Sequence, residues 1–203
     1  MDFEFLDNDR LRKQLLFLVE IDKMKTVLRR TVITDGSNRR ENDAEHSWHF
    51  AMYALILSEY CKEDIDVNKV IKIALVHDLV EVYAGDTFAY DEKGYETKAN
   101  REKEAADRLF GMLEGEQGEE IRALWEEFEA KQTPEAKFAN VCDRVQPLIH
   151  NYFTDGHTWK EGNVVSSQVL KRNEIVKEES PELWQLVCGI VDSSVKRGIL
   201  KEG

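Results

Sequence analysis

A buried imidazole beside a buried carboxylate is the first feature of this sequence that asks for a chemical explanation. His77-Asp78 interrupts the apolar run Ile73-Ala74-Leu75-Val76, which resumes at Leu79-Val80. A charge in such a setting is costly unless it is paired or bound to a cation. On a helix each residue advances about 100°, so Glu81 falls about 40° around from His77, between it and Asp78. Three ionisable side chains then share one small volume. A simple core His–Asp hydrogen bond would satisfy an isolated pair, but this pair has company. His46 lies in Asp43-Ala44-Glu45-His46-Ser47-Trp48-His49, on a stripe continued by Phe50, Tyr53 and Leu57, and Asp143 lies in Phe138-Ala139-Asn140-Val141-Cys142-Asp143-Arg144. Two imidazoles and two carboxylates are a hard-to-borderline donor set for one divalent ion, Mn²⁺, Co²⁺, Fe²⁺, Mg²⁺ or Zn²⁺, with positions left for water and substrate.

The elements that must carry these residues read as helices. Helical periodicity runs through most of the chain and convincing strand alternation is absent, so the expected class is all-α. A first helix is expected over 8–29, with Leu11, Leu15, Leu18, Val19 and Val27 on one stripe, ending before the loop signal Asp35-Gly36-Ser37-Asn38. Asp43 is expected to cap a helix running to about Cys61, and Asp66 one running to Ala84, where Gly85 supplies the stop. Helices over about 99–115 and 118–131 follow a charged loop. Thr133-Pro134-Glu135 is a strong start for the next, an oxygen cap followed by a first-turn proline and an early acid, and that helix should reach about Phe153. Further helices are expected near 164–178 and, after Ser180-Pro181-Glu182, to Arg197. Asp143 fits its helix least well. The apolar stripe there is Phe138, Val141, Val145, Leu148 and Tyr152, and Asp143 points nearly opposite. Pro147 has no amide for the Asp143 carbonyl, so the helix should kink beside it.

Four blocks then give a resemblance. His46, His77-Asp78 and a distant Asp143 match the H…HD…D signature of the HD-domain metal-dependent phosphohydrolases. Glu41 to Trp48, Ala74 to Glu81, Gly85-Asp86-Thr87 and Thr133 to Phe138 resemble the branch that holds the 5'-deoxynucleotidases and HD-domain-containing protein 2. The likeness spans about residues 10–155. It implies a single HD-domain helical bundle over 1–203, with the helices at about 164–197 packed on the metal-binding core. It implies that His46, His77, Asp78 and Asp143 hold one divalent metal, that Glu81 handles protons at the hydrolytic water or leaving group, and that Asp86, followed by Thr87, lies close to the sugar and attacking water. The implied reaction is hydrolysis of a nucleoside 5'-monophosphate to nucleoside and phosphate; the same chemistry on a phosphodiester or pyrophosphate, or a metal-stabilised binding module, are the alternatives. A homodimer is the family's suggestion for assembly. The Arg-Trp pair that touches phosphate and sugar in the characterised deoxynucleotidases has Lys23-Met24 as its nearest counterpart here. Glu81-Val82 also replaces the acidic pair that ends the motif in guanosine-polyphosphate hydrolases.

Composition bounds the rest. Hydrophobic residues make up 42% and prolines number three, which excludes a disordered or collagenous chain. No strictly apolar run, tyrosine excluded, exceeds Leu15–Val19, far short of the roughly 20 residues a membrane span needs. The start lacks a basic, apolar leader, and three cysteines form no CxxC pair, so a reducing, cytoplasmic setting is expected. The net charge of −12 argues against nucleic-acid polymers and anionic membranes as partners. The segment Arg10–Arg40 is nevertheless basic, with nine cationic residues against three acidic ones. It reads either as a solvated helix face or as the source of phosphate ligands, with Lys23, Lys25, Arg29, Arg30 and Arg39 as the candidates. His49 and His150 read as packed or rim histidines. His157-Thr158-Trp159 could cover a base, with a structural Trp anchor as the plainer reading. Nothing near Cys142 suggests an activated thiolate.

Overall fold

The computed structural model describes residues 2–203; Met1 lies outside them. Helix α1 (Asp9–Ile21) starts at an Asn8 cap, whose side chain accepts from the Leu11 amide. The expected 8–29 helix stops eight residues early. A 3₁₀ turn over Asp22–Thr26 intervenes, and the chain then extends as β1 (Leu28–Val32), which pairs antiparallel with β2 (Arg40–Asn42). The reason is the β-branched run Thr31-Val32-Ile33 leading into Asp35-Gly36, a hairpin signal that outweighs the helical stripe. Among the described residues this small sheet is joined only by an isolated parallel bridge, Val165 to Lys201, in an otherwise helical fold.

Helix α2 (Asp43–Leu57) is capped by Asn42 rather than Asp43: the Asn42 side chain accepts from the Glu45 amide and the Glu45 carboxylate accepts from the Asn42 amide, a reciprocal capping box. Asp43 is thereby freed to point inward, where it is fully buried. The expected helix from Asp66 to Ala84 is divided into α3 (Val67–Val76) and α4 (Glu81–Ala84). His77 causes the division. Its Nδ1 bonds the Ala74 carbonyl at 2.9 Å, the acceptor that a continuing helix would offer to the amide of residue 78. The chain proceeds by tighter three-residue bonds, Leu79 N to Val76 O at 3.0 Å and Glu81 N to Asp78 O at 2.9 Å.

Helices α5 (Glu92–Phe110) and α6 (Glu116–Ala130) follow, and then α7 (Pro134–Phe153), which starts at the expected Thr133 cap with Pro134 in its first turn. It continues through Pro147 as one helix. The remaining chain forms α8 (His157–Glu161), α9 (Ser166–Arg172), α10 (Glu174–Glu179) and α11 (Pro181–Lys196). The expected helix at 164–178 is thus two. A large core gathers Phe50, Ile73, Phe138, Val141 and Val187 around α7, and a second joins Phe17, Leu79, Leu109, Phe110 and Trp125. Helix α7 is buried on more than one side, carrying Val141 and Val145 on one face and Ala139, Gln146 and His150 on others. No helix among the described residues is long and apolar enough to cross a membrane.

Candidate metal centre

Three elements bring the predicted donors together. His46 comes from the first turns of α2, His77 and Asp78 from the break between α3 and α4, and Asp143 from the middle of α7. His46 Nε2 lies 3.1 Å from Asp143 Oδ1 and 3.8 Å from Asp78 Oδ2. His77 Nε2 lies 3.0 Å from Asp78 Oδ2 and 3.9 Å from Asp143 Oδ1. Asp143 reaches this point from the polar side of its helix because α7 is interior, so the face opposite its apolar stripe borders a cavity rather than bulk water.

The hydrogen bonds on the far side of each ring decide what the near side offers. His77 Nδ1 faces a backbone carbonyl, which only accepts, so Nδ1 carries a proton. His46 Nδ1 lies 3.1 Å from Gln146 Oε1, and the Gln146 amide nitrogen donates to Glu41 at 2.6 Å. Glu41 fixes which way the amide points, and the amide fixes which His46 nitrogen is protonated. Both Nε2 atoms are then free to present lone pairs to the two carboxylates. His77 Nε2, although 3.0 Å from Asp78, makes no hydrogen bond. Lone pairs and carboxylate oxygens crowded around one point are mutually repulsive until a cation lies between them. The donor set therefore fits one divalent ion.

Beside this group lies a second, acidic one. Asp43, Asp78 and Glu81 each place an oxygen within 4.8 Å of the others. Both Asp43 oxygens and Glu81 Oε2 are buried without a hydrogen-bond partner. Burial and the Asp78 charge push the Asp43 carboxyl up to about 8, and burial with the Asp78, Asp43 and Asp86 charges raises Glu81 well above the carboxylate range. Asp78 goes the other way: despite burial, the charged forms of His77 and His46 and the Arg29 guanidinium hold its carboxyl well below its ordinary value. Asp43 escaped the sequence reading because it was taken for a cap.

Asp86 and Thr87 lie on the loop after α4, lining the cavities beside the donors. Gly85 makes that loop. Its φ of 74° and ψ of 151° are a combination reserved for glycine, and they turn the chain so that Asp86 follows α4 directly into the cavity. Arg101 braces the loop, donating to the Ala84 carbonyl and, at 2.8 Å, to the Thr87 hydroxyl. Burial and the Asp78 charge raise the Asp86 carboxyl above its ordinary value, against the opposing pull of Arg29.

The basic candidates divide. Arg29 on β1 donates to Asp78 Oδ2 at 2.8 Å and lies 3.6 Å from Asp43. Arg30 lies over the Phe88 ring, 4.7 Å from its centroid, at the edge of the same cavity. Lys23, Lys25 and Arg39 are exposed and held elsewhere, by Glu20, Asp22 and Glu45 respectively. Met24, counterpart of the family's tryptophan, is buried in the core. Three cations that sequence reading missed, Lys131, Arg144 and Arg172, line the larger cavity instead. Arg144 adjoins Asp143 in sequence, and that adjacency was the one signal available. Trp159 is a core anchor, and burial pushes the Cys142 thiol well up.

Residues 21–184 match the model of the HD domain family. The chain belongs to that family. Among the HD domain proteins it is similar to is the 5'-deoxynucleotidase HDDC2 of Danio rerio, 34% identical over 142 residues covering 68% of each chain. The bovine 5'-deoxynucleotidase HDDC2 is 30% identical over 176 residues, 87% of this chain and 83% of the relative. A solved structure described as a predicted metal-dependent phosphohydrolase, from Magnetospirillum magnetotacticum MS-1, is 48% identical with a TM-score of 0.89, covering 95% of this chain and 96% of the other. The HD domain matched here contains every one of the donors described above, and it ends within α11.

Proposed function

We propose that this HD domain hydrolyses nucleoside 5'-monophosphates to nucleoside and inorganic phosphate, with His46, His77, Asp78 and Asp143 holding one divalent metal ion. The observation that carries the reading is the pair of Nε2 atoms facing Asp78 and Asp143, each ring being pinned through its other nitrogen. The likeness to relatives named 5'-deoxynucleotidases supports the substrate class. A divalent ion in this donor set lowers the pKa of water and polarises a phosphoryl oxygen.

The remaining roles fall to the chain. In the reaction a water oxygen bonds to phosphorus and the P–O ester bond breaks; one proton leaves the water and one reaches the departing 5'-oxygen. Glu81, held protonated by burial and by its acidic neighbours, is the donor to the leaving oxygen. Asp86, whose raised carboxyl pKa makes it a stronger base than an ordinary aspartate, takes the proton from the water. Arg29 spans Asp78 and Asp43, keeping Asp78 ionised and oriented. The chain acts as one domain over 1–203 in this reading, in the cytoplasm, and assembles as a homodimer.

The test is phosphate release from ribo- and deoxyribonucleoside 5'-monophosphates by metal-stripped protein reloaded with Mn²⁺, Co²⁺ or Mg²⁺, with Asp78→Ala alongside. Activity restored by metal and absent from the variant is the expected result. Folded, metal-loaded protein that releases no phosphate from any nucleotide would overturn the proposal.

A further inference from the structure

The cavity over the donors has a volume of about 240 Å³ and is lined by five cationic and six acidic residues, and the cations differ in how they are paired. Lys98, on its rim, is neutralised by Glu102 at 2.6 Å, and Arg29 is committed to Asp78. Lys131, Arg144 and Arg172 are different. Among the described residues none of the three forms an ion pair, in a protein whose net charge is −12. Arg144 donates one Nη1 hydrogen bond to the Arg172 carbonyl at 2.6 Å, closing the end of α9, while its Nε is buried with no partner. Arg172 donates to the Tyr95 hydroxyl at 3.1 Å. Lys131 ends α6 in the left-handed conformation, with φ of 53°.

Arg144 and Arg172 act on Lys131 as like charges. Burial, then Arg144 and Arg172, pull the Lys131 ammonium below its ordinary pKa. Like charges gathered in a half-buried cleft cost stability unless something of opposite sign enters. A cation bound by two neutral imidazoles and two carboxylates is formally neutral, so a phosphate dianion gains little net attraction there. The cations without an ion pair lie on the neighbouring wall.

We propose that Lys131, Arg144 and Arg172 form the anion subsite that receives the phosphate group of the substrate, an inference that rests on the phosphomonoesterase reading above. The guanidinium forks of the two arginines suit phosphate oxygens, and Lys131 adds a point charge. The subsite replaces the basic segment before His46 as the source of phosphate ligands, since most of that segment is paired on the surface.

Inorganic phosphate is the probe, titrated calorimetrically into metal-loaded protein at fixed ionic strength, with acetate as the control anion. Arg172→Gln should weaken phosphate about 10–100-fold, as expected for loss of a charge-assisted hydrogen bond. Lys131→Asn should weaken it several-fold; asparagine tolerates the left-handed conformation, so this variant keeps the fold. Phosphate affinity within twofold of the parent in both variants, or acetate binding as tightly as phosphate, would overturn the subsite. The two readings fail separately. Loss of phosphate binding in the variants sustains the subsite even if no nucleotide is hydrolysed, whereas nucleotide turnover with unaltered phosphate binding in the variants removes it and leaves the phosphomonoesterase standing.

Discussion

Helices α2 and α7 face each other twice, and the two meetings differ. In one, His46 meets Asp143, with His77 and Asp78 close by. In the other, His49 Nδ1 lies 3.3 Å from His150 Nε2, with Glu41 beside them. By residue type both are metal-ligand clusters. Gln146 lies between them and treats them oppositely. Its oxygen accepts the hydrogen bond of His46 Nδ1–H, leaving Nε2 as a lone pair toward the carboxylates. Its nitrogen, which has hydrogens and no lone pair, faces Glu41 at 2.6 Å and both His49 and His150 at 3.3 Å. The lone pairs of the second cluster are therefore met by N–H groups, whereas those of the first face carboxylates. Burial also lowers the pKa of His49 and His150, so both rings stay neutral at physiological pH, when a hydrogen-bonded network serves them. A histidine becomes a ligand through what holds its other nitrogen, not through its neighbours in sequence.

The largest expected effect separates the clusters outright. His46→Ala removes the nitrogen that faces both carboxylates, and the variant should retain no metal after desalting, measured by elemental analysis. Its melting temperature should also stop responding to added metal. In the parent, binding only to the folded state adds about 2.7 kcal/mol at a hundredfold excess over Kd, so the contrast is easily read. A His46→Ala protein that holds one metal ion per chain would place the metal in the other cluster and reverse the comparison.

A subtler change tests the amide itself. Gln146→Leu leaves every donor in place but removes the acceptor for His46 Nδ1, and metal affinity should fall about 10–100-fold, the usual cost of losing such support. Nitrogen-detected NMR of the His46 ring should show the single Nδ1–H tautomer of the parent give way to a mixture. Glu41→Gln should act in the same direction and less strongly, because the amide at 146 then has no acceptor-only partner to orient it. Unchanged metal affinity in both variants would show that the ring is held by packing alone.

How far sequence reading goes follows the same division. The donors were legible because their cost is local: His77-Asp78 inside an apolar run announces itself, and Thr133-Pro134-Glu135 fixes where Asp143's helix begins. The break at His77 was not legible, because it arises from a side chain competing for the Ala74 carbonyl, and no proline or glycine marks it. The strand at Leu28–Val32 was hidden by apolar spacing compatible with a helix, although Thr31-Val32-Ile33 and the Asp35-Gly36 turn were there to be read. The cationic wall is the hardest case. Lys131, Arg144 and Arg172 come from the end of one helix, the middle of another and the end of a third, and only the packed fold shows that they line one cavity without an ion pair. Chemistry carried by neighbours in sequence is visible early; chemistry made by convergence is not.

The smallest expected effect concerns His49, three residues from His46 on the same helix. Its ring is half-buried, stacked on Trp48 at 5.9 Å and edge-on to Tyr53 at 4.9 Å. His49→Ala should lose one modest hydrogen bond and some ring packing, lowering stability by about 1 kcal/mol in urea unfolding. Metal stoichiometry should remain one per chain and affinity should stay within twofold, because Gln146 keeps its bonds to Glu41 and His46. A variant that loses a second metal ion, or whose remaining site weakens tenfold or more, would mean that the His49–His150 cluster is coupled to the first as a ligand set rather than as a polar filler. The half-exposed ring and the fully buried one would then be equivalent donors, and the orientation of one amide would no longer explain why α2 offers one metal ligand instead of two.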